Sequence, residues 1–195
     1  MYESKDMMVS HPEHYKGTMG VEPIDYIHEL CKNILDSVRI NATMNYAHTL
    51  LAFDLGQIVK YICRYTKKNG SQDIDKARWY MQDFIDSVWQ VVPGVSAKSP
   101  KKLTGKEIVD VTNTIVVGTN VAALRLWVYA LCDQNNYICT GEEIDMKITV
   151  FELCWIVSKD YRNVTNVLTL QTALDYLYNI VKEREVEENA RKAVC

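Results

Sequence analysis

The sequence predicts an all-α protein, with a helical hairpin in its N-terminal domain and a helical bundle in its C-terminal domain. Apolar residues recur at helical spacing on both sides of Gly70, and two capping boxes open later apolar runs. No convincing alternating strand pattern occurs beyond TIVV at 114–117. With 195 residues, of which 48% are hydrophobic and 24% charged, the chain has the composition of a protein that forms a core.

A segment rich in proline, serine and lysine divides the chain. The ten residues PGVSAKSPKK at 93–102 contain two prolines. Proline fixes φ and removes an N–H donor, so neither flanking helix is expected to run through this segment. We therefore predict a domain at 1–92, a linker at 93–102 and a second helical domain at 103–195.

Three helices are predicted in the first part. The first starts near Glu22, with Pro23 in its first turn, and a weakly patterned second helix covers 41–51. A third helix is predicted up to Gly70, which occupies the position of a C′ glycine. Its apolar face is formed by Leu55, Ile58, Val59 and Ile62, spaced i, i+3, i+4 and i+7.

A further helix follows this glycine and completes the hairpin. Asp73 is predicted as its N-cap or first-turn acid. Its apolar stripe consists of Ile74, Ala77, Met81, Phe84, Ile85 and Val88. We expect the chain to turn between Lys68 and Gln72.

The second part has two capping boxes, Thr104–Glu107 and Thr140–Glu143. In this motif the threonine side chain accepts from the glutamate amide while the glutamate side chain accepts from the threonine amide. Each box is followed by an apolar periodic run, so each predicts the start of a helix.

Composition limits the class of protein. A formal net charge of −3 gives no overall attraction to nucleic acid or membranes, so any anion site must be local. We find no apolar signal region and no run long enough to span a membrane, and we expect a soluble, cytoplasmic protein. The six cysteines form no C-x-x-C pair and are predicted to be reduced thiols: Cys31, Cys63, Cys132, Cys139, Cys154 and Cys195.

The third helix carries the main candidate site. At about 100° per residue, Lys60, Arg64 and Lys67 lie within about 60° of one another. Tyr61 lies on one flank of this face, and Lys68 borders the turn. Two interpretations remain open: the charges form a solvated helix face, or they bind a phosphate group through charge-assisted hydrogen bonds.

Two other features are candidates for function. In the HPEHY segment, His11 and His14 are three residues apart beside Tyr15. Pro12 and the lack of further ligands argue against a metal site, which leaves open a packing or turn role, a hydrogen bond to a phosphate, or acid–base chemistry. Trp79 projects among acidic residues on the polar side of its helix and is predicted to lie in an interface, either in a homo-oligomer or against the second part.

Common catalytic motifs are absent from the sequence. It contains no G-x-x-x-x-G-K-[ST] phosphate loop, no G-x-G-x-x-G and no G-x-S-x-G elbow. An enzymatic activity would therefore have to use an uncommon arrangement.

Four blocks together resemble a phage-encoded family called SaV-like. They are HPEHYKG, VEPIDYI, FDLGQIVKYICRYTKKNG and DIDKARWYMQDFI, within about residues 9–86. Gln57 departs from the asparagine usual in the family. The resemblance gives family-motif status, without a catalytic role, to His11, His14, Tyr15, Lys60, Tyr61, Arg64, Lys67, Lys68, Asp73, Lys76 and Tyr80. It implies either a phosphate-binding face or ion pairs that hold the hairpin together, for example from Arg64 or Lys76 to Asp73 or Asp75.

Three alternative functions remain open, of which the resemblance implies the first two, and the third would use Trp79 and the 119–131 helix as its working surfaces. The first is a phage accessory protein that counters host defence by binding a nucleotide, a nucleotide signal or a host defence protein. The second is a deoxynucleoside monophosphate kinase without a Walker loop, which would use ATP and Mg²⁺, because the family includes a phage nucleotide kinase. The third is a helical adaptor. In each case the expected location is the host cytoplasm.

Overall fold

The computed structural model describes residues 23–39, 46–92, 128 and 139–194. These residues form five long helices: α1 (Pro23–Arg39), α2 (Tyr46–Arg64), α3 (Ser71–Val91), α4 (Gly141–Lys159) and α5 (Val164–Val194). A short 3₁₀ turn, Tyr65–Lys67, follows α2 directly. The described ranges contain no strand, and the all-α prediction is confirmed.

The first two helices differ in part from the prediction. α1 begins at Pro23. Proline lacks an N–H, but an N–H at the first helical position would have no acceptor within the helix, so nothing is lost there. The prediction of separate helices on either side of Leu51 is wrong, because α2 runs unbroken from Tyr46 to Arg64. Leu51 and Ala52 are buried and extend the apolar face of Leu55 toward the N-terminus, so nothing interrupts the helix there.

α2 and α3 form the predicted hairpin. Both predicted apolar stripes are buried in the core. The turn between the helices depends on Gly70, whose φ of +51° is in the left-handed region that favours glycine. Its amide donates to the carbonyl of Tyr65 at 3.0 Å and thereby closes the end of the 3₁₀ turn.

The start of α3 is held by a side chain from the other end of the protein. The amide and the hydroxyl of Ser71 donate to the two carboxylate oxygens of Glu185 on α5, at 2.7 and 2.5 Å. A carboxylate at a helix N-terminus accepts hydrogen bonds from the free amides and interacts favourably with the positive end of the helix dipole. A Cβ atom on Gly70 would lie 2.0 Å from Oε1 of Glu185, so this contact requires a glycine at the turn.

We expect Gly70→Ala to lower the free energy of unfolding by about 1–3 kcal/mol, because it combines a left-handed φ with the displacement of Glu185. Urea unfolding measures this loss. Gly141→Ala is the matched control, since a Cβ there would meet nothing within 4 Å. Equal unfolding midpoints for the two variants would contradict the role assigned to Gly70.

α4 and α5 pack with the N-terminal helices around one apolar core. The hydroxyl of Tyr26 on α1 donates to the carbonyl of Phe151 on α4 at 2.6 Å, and Asn33 donates to the hydroxyl of Ser158 at 2.9 Å. The domain boundaries and the linker at 93–102 stay predictions, because residues 93–127 lie outside the described part. No helix in the described part is both long and apolar enough to cross a bilayer.

The capping box at the start of α4 is confirmed. The Thr140 hydroxyl accepts from the Glu143 amide at 3.1 Å, and the Thr140 amide donates to the Glu143 carboxylate. The Thr104–Glu107 box lies outside the described residues. The four described cysteines are free thiols, as predicted: Cys31, Cys63, Cys139 and Cys154.

Candidate functional site

Three cations meet around one tyrosine near the turn of the hairpin. The ring centroid of Tyr61 lies 4.9 Å from Nζ of Lys60, 4.6 Å from Cζ of Arg64 and 5.6 Å from Nζ of Lys76. These distances allow cation–π attraction, which also keeps the three charges near one another. We call Lys60, Arg64, Lys76 and Tyr61 the cation cluster.

The cluster differs from the predicted one in its third cation. The angle calculated for Lys67 does not apply, because the α-helix ends at Arg64 and Lys67 lies in the 3₁₀ turn. The third cation comes from the facing helix α3, while Lys68 is exposed at the turn.

A buried carboxylate ties the cluster together. Asp73, on the first turn of α3, accepts from Nε and Nη2 of Arg64 at 2.9 and 2.8 Å and from Nζ of Lys76 at 3.0 Å. Asn69 donates a further bond at 3.1 Å. Burial raises the pKa of Asp73, but these hydrogen bonds outweigh it and lower the pKa to about 2. The ion pairs proposed to hold the hairpin together are therefore present.

Lys60 differs from the other two cations in its partner. Its ammonium donates to the neutral amide oxygen of Gln57 at 2.8 Å, and it forms no ion pair within the described ranges. Burial is the largest cause that lowers the pKa of Lys60, followed by the charge of Arg64, while Asp73 raises this pKa and Lys76 adds the smallest lowering effect. Lys60 is thus a partly desolvated cation that an anion would stabilise.

Sequence reasoning missed a buried acid farther along the same hairpin. Asp54 is fully buried, and neither of its oxygens has a hydrogen-bond partner among the described residues. Burial raises its pKa to about 7, with a further contribution from Asp83 on α3. The available signal was its spacing, since Asp54, Gln57 and Tyr61 fall at i, i+3 and i+7 on one side of α2.

Four aromatic rings extend from the cluster along the hairpin. Tyr61 stacks on Tyr80 with centroids 5.8 Å apart, and Phe53 and Trp79 each meet Tyr80 edge-on at 5.9 and 5.0 Å. Trp79 is 64% exposed and Phe53 is 51% exposed, so these two rings present open apolar surface. The interface role of Trp79 stays a prediction.

The other predicted site residues, His11, His14 and Tyr15, lie outside the described residues. Within the described part, no group of three or more His, Cys, Asp or Glu side chains is arranged to hold a metal ion. The described site therefore offers positive charge and aromatic surface. These properties suit the binding of an anion that carries a ring.

The fold and this site define an all-α protein with a cationic and aromatic hairpin. Residues 9–82, less than half of the chain, match the family model described as a protein of unknown function (DUF3310). The matched range contains the whole cation cluster and most of the residues of the predicted SaV-like resemblance. No curated protein and no solved structure shows significant similarity to the chain.

Proposed function

We propose that the α2–α3 hairpin binds a nucleotide, with the phosphate at the cation cluster and the base against the neighbouring rings. The observation that carries this proposal is Lys60, a half-buried ammonium whose hydrogen-bond partner is a neutral amide. A phosphate oxygen would give Lys60 the charge-assisted bond that Gln57 cannot provide.

The other two cations support the phosphate without having to leave Asp73. Lys76 donates one N–H to Asp73 and has three, so the remaining two can face a ligand. The fixed positions of these groups reduce the entropy lost when a ligand binds, because the Asp73 hydrogen bonds already hold Arg64 and Lys76.

The aromatic surface favours a nucleotide over a simple inorganic anion. Tyr80 is in contact with Tyr61 inside the cluster and with the exposed rings of Phe53 and Trp79 outside it. A base stacked on an exposed aromatic ring contributes about 1–3 kcal/mol of binding free energy. Charge alone would not distinguish phosphate from a nucleotide, whereas these rings would.

Isothermal titration with nucleoside mono-, di- and triphosphates and cyclic dinucleotides tests the proposal. We expect at least one of them to bind more tightly than inorganic phosphate. Lys60→Gln should then weaken its binding about 10- to 100-fold, the effect of losing one charge-assisted hydrogen bond of about 1.5–3 kcal/mol.

Lys182→Gln is the matched control, because Lys182 is an exposed lysine on α5, outside the cation cluster. It should bind as the wild type does. The proposal fails if none of these compounds binds the wild-type protein, or if the two glutamine variants bind equally well.

We further propose that this protein is a phage-encoded accessory protein and that it counters host defence through this binding. The support is the motif resemblance to the SaV-like family over about residues 9–86. A host defence protein with an acidic surface is the alternative partner. In that case the same Lys60→Gln variant should lose the protein partner while no nucleotide binds.

The kinase alternative is tested with the same proteins. Phosphoryl transfer depends mainly on positioning and charge neutralisation, which a cation cluster can provide without a Walker loop. Formation of a deoxynucleoside diphosphate from ATP, Mg²⁺ and the monophosphate, lost in Lys60→Gln and kept in Lys182→Gln, would identify the kinase. Binding without turnover would leave the protein as a binder.

A further inference from the structure

The three cations of the cation cluster share one buried acid. Asp73 accepts from Nε and Nη2 of Arg64 at 2.9 and 2.8 Å, so these two opposite charges form a pair. Lys76 shares the same carboxylate at 3.0 Å, and Lys60 donates to the neutral amide of Gln57 at 2.8 Å. Because Asp73 can balance only one of the three charges, two positive charges, in effect those of the lysines, remain for a ligand.

The two lysines also provide hydrogen-bond donors for a ligand. Each ammonium has three N–H groups and uses one of them among the described residues, Lys60 on Gln57 and Lys76 on Asp73. Both ammonium groups lie near one ring, 4.9 and 5.6 Å from the centroid of Tyr61. A terminal phosphate has three free oxygens and about two negative charges at pH 7, whereas the phosphate of a diester has one fewer of each. The terminal phosphate therefore matches the lysines in charge and in acceptors.

The charge of the outer face of α3 changes sign along the helix. Lys76 lies three residues before Trp79, whereas Asp83 and Asp86 lie four and seven residues after it. These spacings correspond to one or two helical turns, so all three charges lie on the same side of the helix as Trp79. A nucleotide with its phosphate at the lysines and its base on the rings ends before these acids. A strand that continued along this face would bring its next phosphates toward them, where like charges repel.

We propose that the ligand of the hairpin is a single nucleotide whose terminal phosphate carries two negative charges. This inference rests on the proposed nucleotide binding and narrows it to one class of ligand. Lys60 and Lys76 each bond to the terminal phosphate, while Arg64 stays on Asp73. Lys76 can reach a ligand without giving up Asp73, because its side chain is 44% exposed. Cyclic dinucleotides and nucleic acid strands, whose internal phosphates are diesters, should bind more weakly.

A matched pair of ligands tests the charge of the phosphate. The first is a nucleoside 5′-monophosphate, and the second is the 5′-phosphorofluoridate of the same nucleoside, in which fluorine replaces one phosphate oxygen. The two have nearly the same shape, but the second has one negative charge less. Each lysine about 4 Å from the additional charge should contribute about 3- to 5-fold to the affinity when salt screening is included. Isothermal titration of the full chain should therefore show that the monophosphate binds about 10- to 25-fold more tightly, for at least one of the common bases.

Lys76→Gln separates the effect of charge from a general loss of the site. With one lysine removed, the preference for the monophosphate over the phosphorofluoridate should fall to about 3- to 5-fold. A change that only disturbed the shape of the site would weaken both ligands equally and leave the preference unchanged. Lys182→Gln, outside the cation cluster, is the control and should keep the preference of the wild type.

A trinucleotide with the same 5′-phosphate tests the restriction to a single nucleotide, because it keeps the terminal phosphate and adds backbone charges. It should bind no more tightly than the monophosphate. Equal binding of monophosphate and phosphorofluoridate by the wild type, an unchanged preference in Lys76→Gln, or tighter binding of the trinucleotide would overturn this inference while nucleotide binding stands. If no nucleotide binds, the proposed function fails and this inference fails with it.

Discussion

We expect Asp73→Asn to lower the free energy of unfolding by about 3 kcal/mol at pH 7. Asp73 is the buried acceptor shared by Arg64, Lys76 and Asn69, and its replacement removes the negative charge that pairs with Arg64, whose side chain is only 13% exposed. Removing one partner of a buried ion pair costs about 3–5 kcal/mol. We place the loss at the low end of this range, because Lys76 remains half in contact with water. Urea unfolding at pH 7 measures the loss.

The loss should depend on pH in a direction fixed by the pKa of Asp73. Because folding lowers this pKa from 3.8 to about 2, the carboxylate stabilises the folded state above about pH 4. That stabilisation disappears as pH falls toward 2, so wild type and variant should converge there. Asp75→Asn is the control: Asp75 is exposed, and its ion pair with Arg78 should contribute less than about 1 kcal/mol. A difference that stays constant from pH 6 to pH 2 would contradict this assignment.

The helices could be predicted because each stripe is a local pattern. Leu55, Ile58 and Ile62 identify one buried face from their spacing alone, and Gly70 marks the turn because few other residues adopt its backbone angle. The false break near Leu51 arose from the weak pattern of the first half of α2. Burial against α1 and α3 continues the helix there, and this depends on contacts that are distant in sequence.

The cation cluster was predicted only in part, for a related reason. The period of one helix places Lys60 beside Arg64, but it does not show which side chain of a neighbouring helix completes the group. Lys76 faces Tyr61 only because the hairpin packs in this register. Lys67 lies in a 3₁₀ turn, where the angle of an α-helix does not locate its side chain, so the period of α2 could not place it relative to Lys60 and Arg64.

Charged residues in the core were the least predictable feature. Glu143 and Lys147 on α4 are fully buried, where spacing alone would suggest solvent. The hydroxyl of Tyr65 donates to Glu143 at 3.0 Å, and Nζ of Lys147 lies 4.6 Å from the ring of Tyr65. Tyr65 comes from the hairpin, 78 residues earlier in the chain than Glu143, so no local pattern could indicate this contact.

Asp54 provides the second large effect, and its sign is opposite to that of Asp73. Because burial raises the pKa of Asp54 from 3.8 to about 7, the folded state holds the proton more tightly than the unfolded chain does. The wild type should therefore lose stability as pH rises from about 4 to about 7. The shift corresponds to at most about 4 kcal/mol, at 1.36 kcal/mol per pKa unit.

Asp54→Asn removes this titration while keeping a neutral side chain of the same shape. The variant should gain stability relative to the wild type between pH 4 and pH 8, by up to about 4 kcal/mol. The unpaired amide of the variant adds a cost of about 1–3 kcal/mol at every pH. The informative quantity is therefore how the difference in unfolding free energy between variant and wild type changes with pH. Urea unfolding at several pH values measures it, and Asp86→Asn, an exposed acid on α3, should show no such change.

Asp83→Asn determines how much of this effect comes from charge and how much from burial. The charge of Asp83 is the smaller of the two causes that raise the pKa of Asp54, so its removal should move the titration to lower pH without abolishing it. If Asp54→Asn gives the same difference at every pH, Asp54 is already ionised in the folded protein and must have a partner. If the titration is present, Asp54 is largely neutral in the folded protein below pH 7.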